Sequence, residues 1–183
     1  MYEKEYFNHP QKNLLQAGLT SGARVGEFGC GTGHVAMACA GIVGSEGRVY
    51  AVDIQEEVLT HLRDTLERQN IKNVDTIWGN IEKAGGARLR DTVLDAVILS
   101  NVLFQIEDKK GLRTEVERVL RPGGKVLVTD WAGSYNGMGP HTKHIVSEYE
   151  AEELFIGGGF HKVKSYRAGP YHYSILLTRP GVE

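Results

Sequence analysis

The chain has 183 residues, 41% of them hydrophobic, which suits one domain burying most of its apolar surface around one core. Its 21 Lys and Arg against 23 Asp and Glu leave a net charge of −2, which argues against a broad electrostatic grip on nucleic acid. No run approaches the roughly 18 apolar residues of a membrane span. Cys30 and Cys39 form neither a zinc pattern nor a disulfide framework. The first residues, MYEKEYFNHPQK, hold no apolar core of a signal peptide, so a cytoplasmic protein is expected.

Asn8-His9-Pro10 reads as a helix start, with an apolar pattern through Leu14, Leu15 and Leu19. Thr20-Ser21-Gly22 turns into a first strand, Val25 to Phe28. Gly29, Gly31 and Gly33 follow at alternate positions, and a helix runs on to about Val43. A second strand, Arg48 to Val52, ends in Asp53. Ile54, Val58, Leu62 and Leu66, with Leu59 beside them, predict one apolar helix stripe. Val74 to Trp78 is a third strand, closed by Gly79-Asn80-Ile81. Leu94 to Leu99 is almost continuously apolar, as a strand buried on both faces should be, and ends at Ser100-Asn101.

Leu112, Val116, Val119 and Leu120 form a second helical stripe, which LRPGG (120–124) stops and turns. A fifth strand, KVLVTD, ends at Asp130-Trp131. Residues 132–145 are loop. Ser147-x-x-Glu150 is a capping box opening another helix. Phe160–Arg167 and Tyr171–Thr178 form a terminal hairpin. Strands alternating with helices predict a parallel sheet covered on both faces. The expected organisation is a single domain over 1–183: an N-terminal segment and helix (1–22), a cofactor half (23–130), then loop, helix and hairpin (131–183).

Strand, glycine loop and helix together mark a ligand site. Glycines let a ligand approach the backbone, and the helix start offers unpaired N–H groups. A dinucleotide fingerprint spaces its glycines G-x-G-x-x-G. Here the third glycine comes one residue early, and Glu27 sits two residues before the first. An acid there repels a pyrophosphate but suits a ligand carrying an amino group. Asp53 stands where a ribose diol would lie.

At these residues the chain resembles the class I S-adenosylmethionine-dependent methyltransferases, whose first motif is E/D-x-G-x-G-x-G. Five further pieces extend the likeness over about residues 8–179: Asp53-Ile54, Asn80-Ile81, Asp95 heading the fourth strand, LRPGG and the final hairpin. The small quinone-methylating enzymes look most similar. The resemblance implies an α/β, Rossmann-like, doubly wound sheet of order 3-2-1-4-5-7-6 with strand 7 antiparallel. It implies S-adenosyl-L-methionine as cofactor and S-adenosyl-L-homocysteine as product. It places Glu27, Gly29, Cys30, Gly31, Gly33, Asp53, Ile54, Asn80, Ile81 and Ser100 around that cofactor.

Ligands in such sheets lie beyond the carboxyl ends of the strands. Asp130 and His141 are therefore the candidate catalytic residues. Asn101, Trp131, Tyr171 and His172 are the candidate acceptor-binding residues, with Tyr2, Tyr6 and Phe7 as a possible cover. No N/D-P-P-Y/F/W follows the fourth strand, which disfavours base-modifying amino methyltransferases. Two cysteines, one in the glycine loop, disfavour an arsenite-type enzyme. The expected partner is a small or medium organic acceptor; a protein or RNA acceptor, a nicotinamide oxidoreductase and a non-catalytic binding module are the alternatives. A homodimer stays open, and no metal is expected.

Overall fold

In the computed structural model, residues 10–135 and 139–181 are described. Among them, seven strands form one sheet: β1 (Arg24–Phe28), β2 (Arg48–Asp53), β3 (Val74–Trp78), β4 (Leu94–Ser100), β5 (Leu120–Trp131), β6 (His161–Arg167) and β7 (His172–Thr178). Their order is β3-β2-β1-β4-β5-β7-β6. Neighbours from β3 across to β5 are parallel, and β7 runs antiparallel to both β5 and β6. The helices are α1 (Pro10–Gln16), α2 (His34–Val43), α3 (Glu56–Arg68), α4 (Lys109–Val119) and α5 (Glu148–Ile156).

Alternation along the central strands divides the core in two. Val25, Val49 and Ala51 pack with α1, α2 and α3. Phe28, Val52, Val97 and Val128 pack with α4 and α5 on the other face. Glu27 shares the face of Val25, so its carboxylate goes under α2. The parallel strands all deliver their carboxyl ends to one edge, where the glycine loop lies.

Three elements depart from the sequence pattern. The helix stripe predicted from Ile54 to Leu66 is narrower: Leu59, Leu62 and Leu66 are buried, whereas Ile54 precedes the helix and is 58% exposed. Leu14 and Leu19 are both buried, but α1 ends at Gln16, and Leu15 between them faces solvent. LRPGG is a bulge inside β5, not a turn before it. Leu120 pairs with Leu94, the register then slips, and pairing resumes at Lys125 opposite Ala96. The extra residues are absorbed with Gly123 at φ 74°, which only glycine adopts freely. Elsewhere local chemistry decided the ends. The capping box holds in both directions: Ser147 N donates to Glu150 Oε2 at 2.8 Å, and Glu150 N donates to Ser147 Oγ at 3.2 Å.

Candidate cofactor and acceptor site

The glycine loop is tied down before any ligand is considered. The N–H groups of Gly29 and Cys30 both donate to Val52 O, at 2.8 and 3.1 Å. The three glycines have different duties. A Cβ at Gly29 would strike Val102 at 2.4 Å, and one at Gly33 would strike Leu62 at 2.2 Å. These two glycines let neighbouring elements close up. A Cβ at Gly31 would meet nothing within 4 Å, although φ there is +49°. Gly31 therefore faces open space, a cradle that a side chain would fill.

That space is a cleft of ≈ 240 Å³ over the ends of β1, β2 and β3. Of the expected residues, Gly29, Gly31, Asp53, Ile54, Asn80 and Ile81 line it. Asp53 is buried, and its carboxylate accepts from Gly31 N and Gln55 N, both at 2.9 Å. A carboxylate offers about four lone-pair sites, so two remain for a diol. Asn80 Oδ1 accepts from Glu82 N at 2.9 Å, which orients the amide at the cleft floor. Trp78 holds the rim: its indole N–H donates to Ile54 O at 2.9 Å, and the Arg88 guanidinium lies 5.1 Å over its ring.

Glu27, Cys30, Gly33 and Ser100 stand outside this lining. Glu27 is buried behind the loop, and its Oε2 has no hydrogen-bond partner. Burial pushes its pKa well above the carboxylate range; a hydrogen bond from the Ala36 backbone opposes this, and the Asp53 charge adds to it. The Cys30 thiol contacts Gly31 O at 3.8 Å, and Ser100 is half-buried at the end of β4. The sequence reading missed Gln55, Glu82, Val102, Gln105 and Ile106, and took Val58 for a core residue. Val102 to Ile106 directly follow the fourth strand, so the carboxyl-end rule reaches them when carried past Asn101.

The second half of the site lies at β4, β5 and β7. Asn101 has φ 54°, donates its N–H to Thr129 O at 2.8 Å, and keeps a buried Oδ1 without a partner. Asp130 is 1% exposed. Its Oδ2 accepts from Leu103 N and its Oδ1 from Trp131 N, each at 2.8 Å. It thereby pins the 3₁₀ turn Leu103–Gln105, which carries Gln105 to the cleft. Burial raises its pKa to about 6 against the pull of those N–H groups and of Lys109. Asp130 is thus placed to hold the scaffold.

Trp131 packs against His172 with ring centroids 4.4 Å apart and the planes tilted by 41°, and Tyr135 packs likewise against Tyr171 at 4.5 Å and 48°. Gly139 lies on the Trp131 ring, where a Cβ would come within 2.6 Å. His172 is buried and neither ring nitrogen has a partner. His141 is exposed, its Nδ1 accepting from Lys143 N at 3.3 Å, so it caps the 3₁₀ turn Thr142–His144. Tyr2, Tyr6 and Phe7 lie outside the described residues. A larger groove of ≈ 920 Å³ runs between the start of α4 and residues 143–154, and it shares Gln105 and Ile106 with the cleft.

A family model for a methyltransferase domain matches residues 19–164. The chain belongs to this family. A demethylmenaquinone methyltransferase of Bacillus mycoides is 33% identical over 106 residues, covering 58% of this chain and 44% of that protein. An arsenite methyltransferase of Aquipseudomonas alcaligenes is 31% identical over 121 residues, covering 64% of this chain and 35% of that one. The chain thus spans less than half the length of these two relatives. A crystal structure of an S-adenosylmethionine-dependent methyltransferase from Aquifex aeolicus superposes with a TM-score of 0.87 at 24% identity, covering 93% of this chain and 89% of that one. It shows the same fold. The methyltransferase domain's cofactor, S-adenosylmethionine, suits the residues present. An open cradle at Gly31, a diol-ready Asp53 and an unpartnered acid at Glu27 are the features that a ribosyl sulfonium amino acid needs.

Proposed function

We propose that this chain transfers a methyl group from S-adenosylmethionine to a small or medium organic acceptor. The observation that carries this reading is the cleft at Gly31 and Asp53. It is built for a nucleoside, and its glycines are spaced G-x-G-x-G rather than the G-x-G-x-x-G of a pyrophosphate loop. Asp53 holds the ribose hydroxyls, Ile54 and Ile81 flank the adenine, and Asn80 meets its amino group. Glu27, buried behind the loop with Oε2 unpartnered, would receive the ammonium group of the amino acid end, a partner that favours its ionised form.

When bound, the cofactor supplies an electrophilic methyl on sulfur. The chain's share is to align an acceptor with that methyl and to keep water away. Asp130 contributes by fixing the turn that bears Gln105. The acceptor side is that of Asn101, Trp131, Tyr171 and His172, and the relatives' names favour a small acceptor. Arsenite chemistry is disfavoured on this chain's own residues. Cys30 and Cys39 are both buried, and burial together with Glu27 holds the pKa of both thiols well above its usual value. A protein or RNA acceptor gains no support from the groove beside the cleft, where Lys109, Lys143 and His144 face Glu107, Glu150 and Glu153.

The test is incubation with S-adenosylmethionine and an acceptor library, read by mass spectrometry. One compound should gain a CH₂ unit while S-adenosylhomocysteine accumulates. Tight cofactor binding with no product from any acceptor class would overturn transfer and leave a binding module.

A further inference from the structure

We propose that the chain holds a second ligand site at the amino end of the sheet, and that this site takes a small phosphate monoester. The inference is independent of the methyl-transfer reading.

A cavity of ≈ 290 Å³ opens there, between the link from α1 to β1 and the starts of β4 and β5. The link supplies residues 18–23 of its lining, and the strands supply Asp95, Arg121 and Lys125. β4 is seven residues long, so the cavity lies about 20 Å from the edge that carries the cofactor cleft. The two places are separate, and both can be occupied at once.

The lining carries two cations and one acid. Alternation puts Lys125 on the side of Leu127, which packs with α1. Its ammonium reaches the end of α1 and donates to Ala17 O at 3.3 Å. Gly18 makes room for it, since a Cβ there would come within 2.9 Å of Lys125 Nζ. That bond anchors the ammonium and uses one of its three donors. Among the described residues no carboxylate pairs with Lys125.

Asp95, by contrast, is engaged on both oxygens. Oδ1 accepts from Arg121 Nε at 2.6 Å and Oδ2 from Arg24 N at 2.8 Å. The acid thus fixes the Arg121 guanidinium at the wall. Arg121 Nη1 reaches only the adjacent Pro122 O, at 3.4 Å, and Nη2 has no partner among the described residues. Lys125 and Arg121 against Asp95 leave one positive charge in excess, with free N–H donors on both cations. Thr20 and Ser21 add hydroxyls to the lining.

This set of donors suits an anion with three acceptor oxygens. Phosphate meets the ammonium as a point charge and the guanidinium through its N–H fork. The volume stands at the lower bound for small-molecule sites, which fits a phosphate on a short polyol rather than a nucleotide. The polyol hydroxyls then have Thr20 and Ser21 as partners. A second phosphate would exceed the single surplus charge and face the Asp95 carboxylate.

The test is calorimetric titration of the full chain with glycerol 3-phosphate. The wild type should bind one per chain, and glycerol alone should give no heat. Lys125→Met keeps an apolar stem and removes the charge, and should weaken binding at least about tenfold, the worth of a charge-assisted hydrogen bond. Arg121→Gln, at a partly exposed position that tolerates change, should weaken it as well, with the melting temperature reporting that each variant is folded. No saturable binding by the wild type, or unchanged affinity in both folded variants, overturns the site. Binding to phosphatidylcholine vesicles carrying phosphatidic acid, with none to glycerol 3-phosphate, would place the phosphate on a lipid and overturn the free monoester.

Discussion

The two ends of the sheet differ in where buried polar atoms go without partners. At the amino end, the acids are paired. Asp95 accepts from Arg24 N at 2.8 Å and from Arg121 Nε at 2.6 Å. Asp75 takes Arg48 Nε at 2.6 Å. On α4, between the two ends, Glu115 is fully buried, yet its carboxylate accepts from Gly85 N, Ala87 N and Arg118, and its pKa stays below the usual value: burial would raise it, but Arg118 and the two N–H groups outweigh burial. At the carboxyl end, Glu27 Oε2, Asn101 Oδ1 and both His172 nitrogens are buried without partners. Among the described residues one further such atom occurs, Arg113 Nε in α4. A buried polar group with all its partners fixes shape. One without them costs stability and is retained where a ligand completes it.

The largest effect that would break this contrast is at Gly31. Gly31→Val places a β-branched residue at positive φ and a side chain in the cleft. S-adenosylhomocysteine binding should fall more than about 100-fold, or ~3 kcal/mol, in a protein that still folds. Near-normal affinity in calorimetry would remove the glycine loop from the site.

Asp130 should show the cost of burying an acid. Its folded pKa is raised from 3.8 to about 6, so the folded chain binds the proton more tightly than the unfolded chain does. The resulting stabilisation is complete below the unfolded value and is lost as pH rises through about 6. Two pKa units correspond to about 3 kcal/mol. Urea denaturation across that range should therefore show Asp130→Asn gaining up to about this much on the wild type as pH rises. A constant difference between the two proteins would contradict the buried-acid account.

Asp53→Ala should weaken S-adenosylhomocysteine binding by about 1.5–3 kcal/mol, roughly 10- to 150-fold. It also frees Gly31 N and Gln55 N, so a modest loss of melting temperature should accompany it. An unchanged dissociation constant would take Asp53 out of the site.

These tests also mark what the residues revealed beforehand. A parallel sheet covered on both faces followed from strands alternating with helices, and the resemblance supplied the strand order and the reversed last strand. The place of Asp53 and Gly31 in the cleft was legible because each position is set locally, at a strand end and in a tight loop. The duty of Gly33 was not, because Leu62 reaches it from another helix. Ile54 and Val58 fitted a helical stripe by spacing, yet they face the cleft, since periodicity does not distinguish an apolar core from an apolar ligand wall. Asp130 looked equally suited to chemistry or to backbone support until Leu103 N was found on it. That both His172 nitrogens lack partners is a long-range fact that no local pattern carries.

The smallest effect is expected at the amino end. Asp95→Ala breaks a partly exposed pair with Arg121 and a bond to Arg24 N, so it should cost about 1 kcal/mol of stability. Cofactor affinity should not change. Weakened binding in this variant would show that the two ends are coupled rather than separate.

The most direct measurement is a calorimetric titration of the wild-type chain with S-adenosylhomocysteine and, separately, with NAD. The account predicts saturable binding of the first, one per chain, and no heat from the second, because an acid-backed glycine loop spaced G-x-G-x-G stands over a ribose-ready Asp53. Binding of NAD with none of S-adenosylhomocysteine would contradict it.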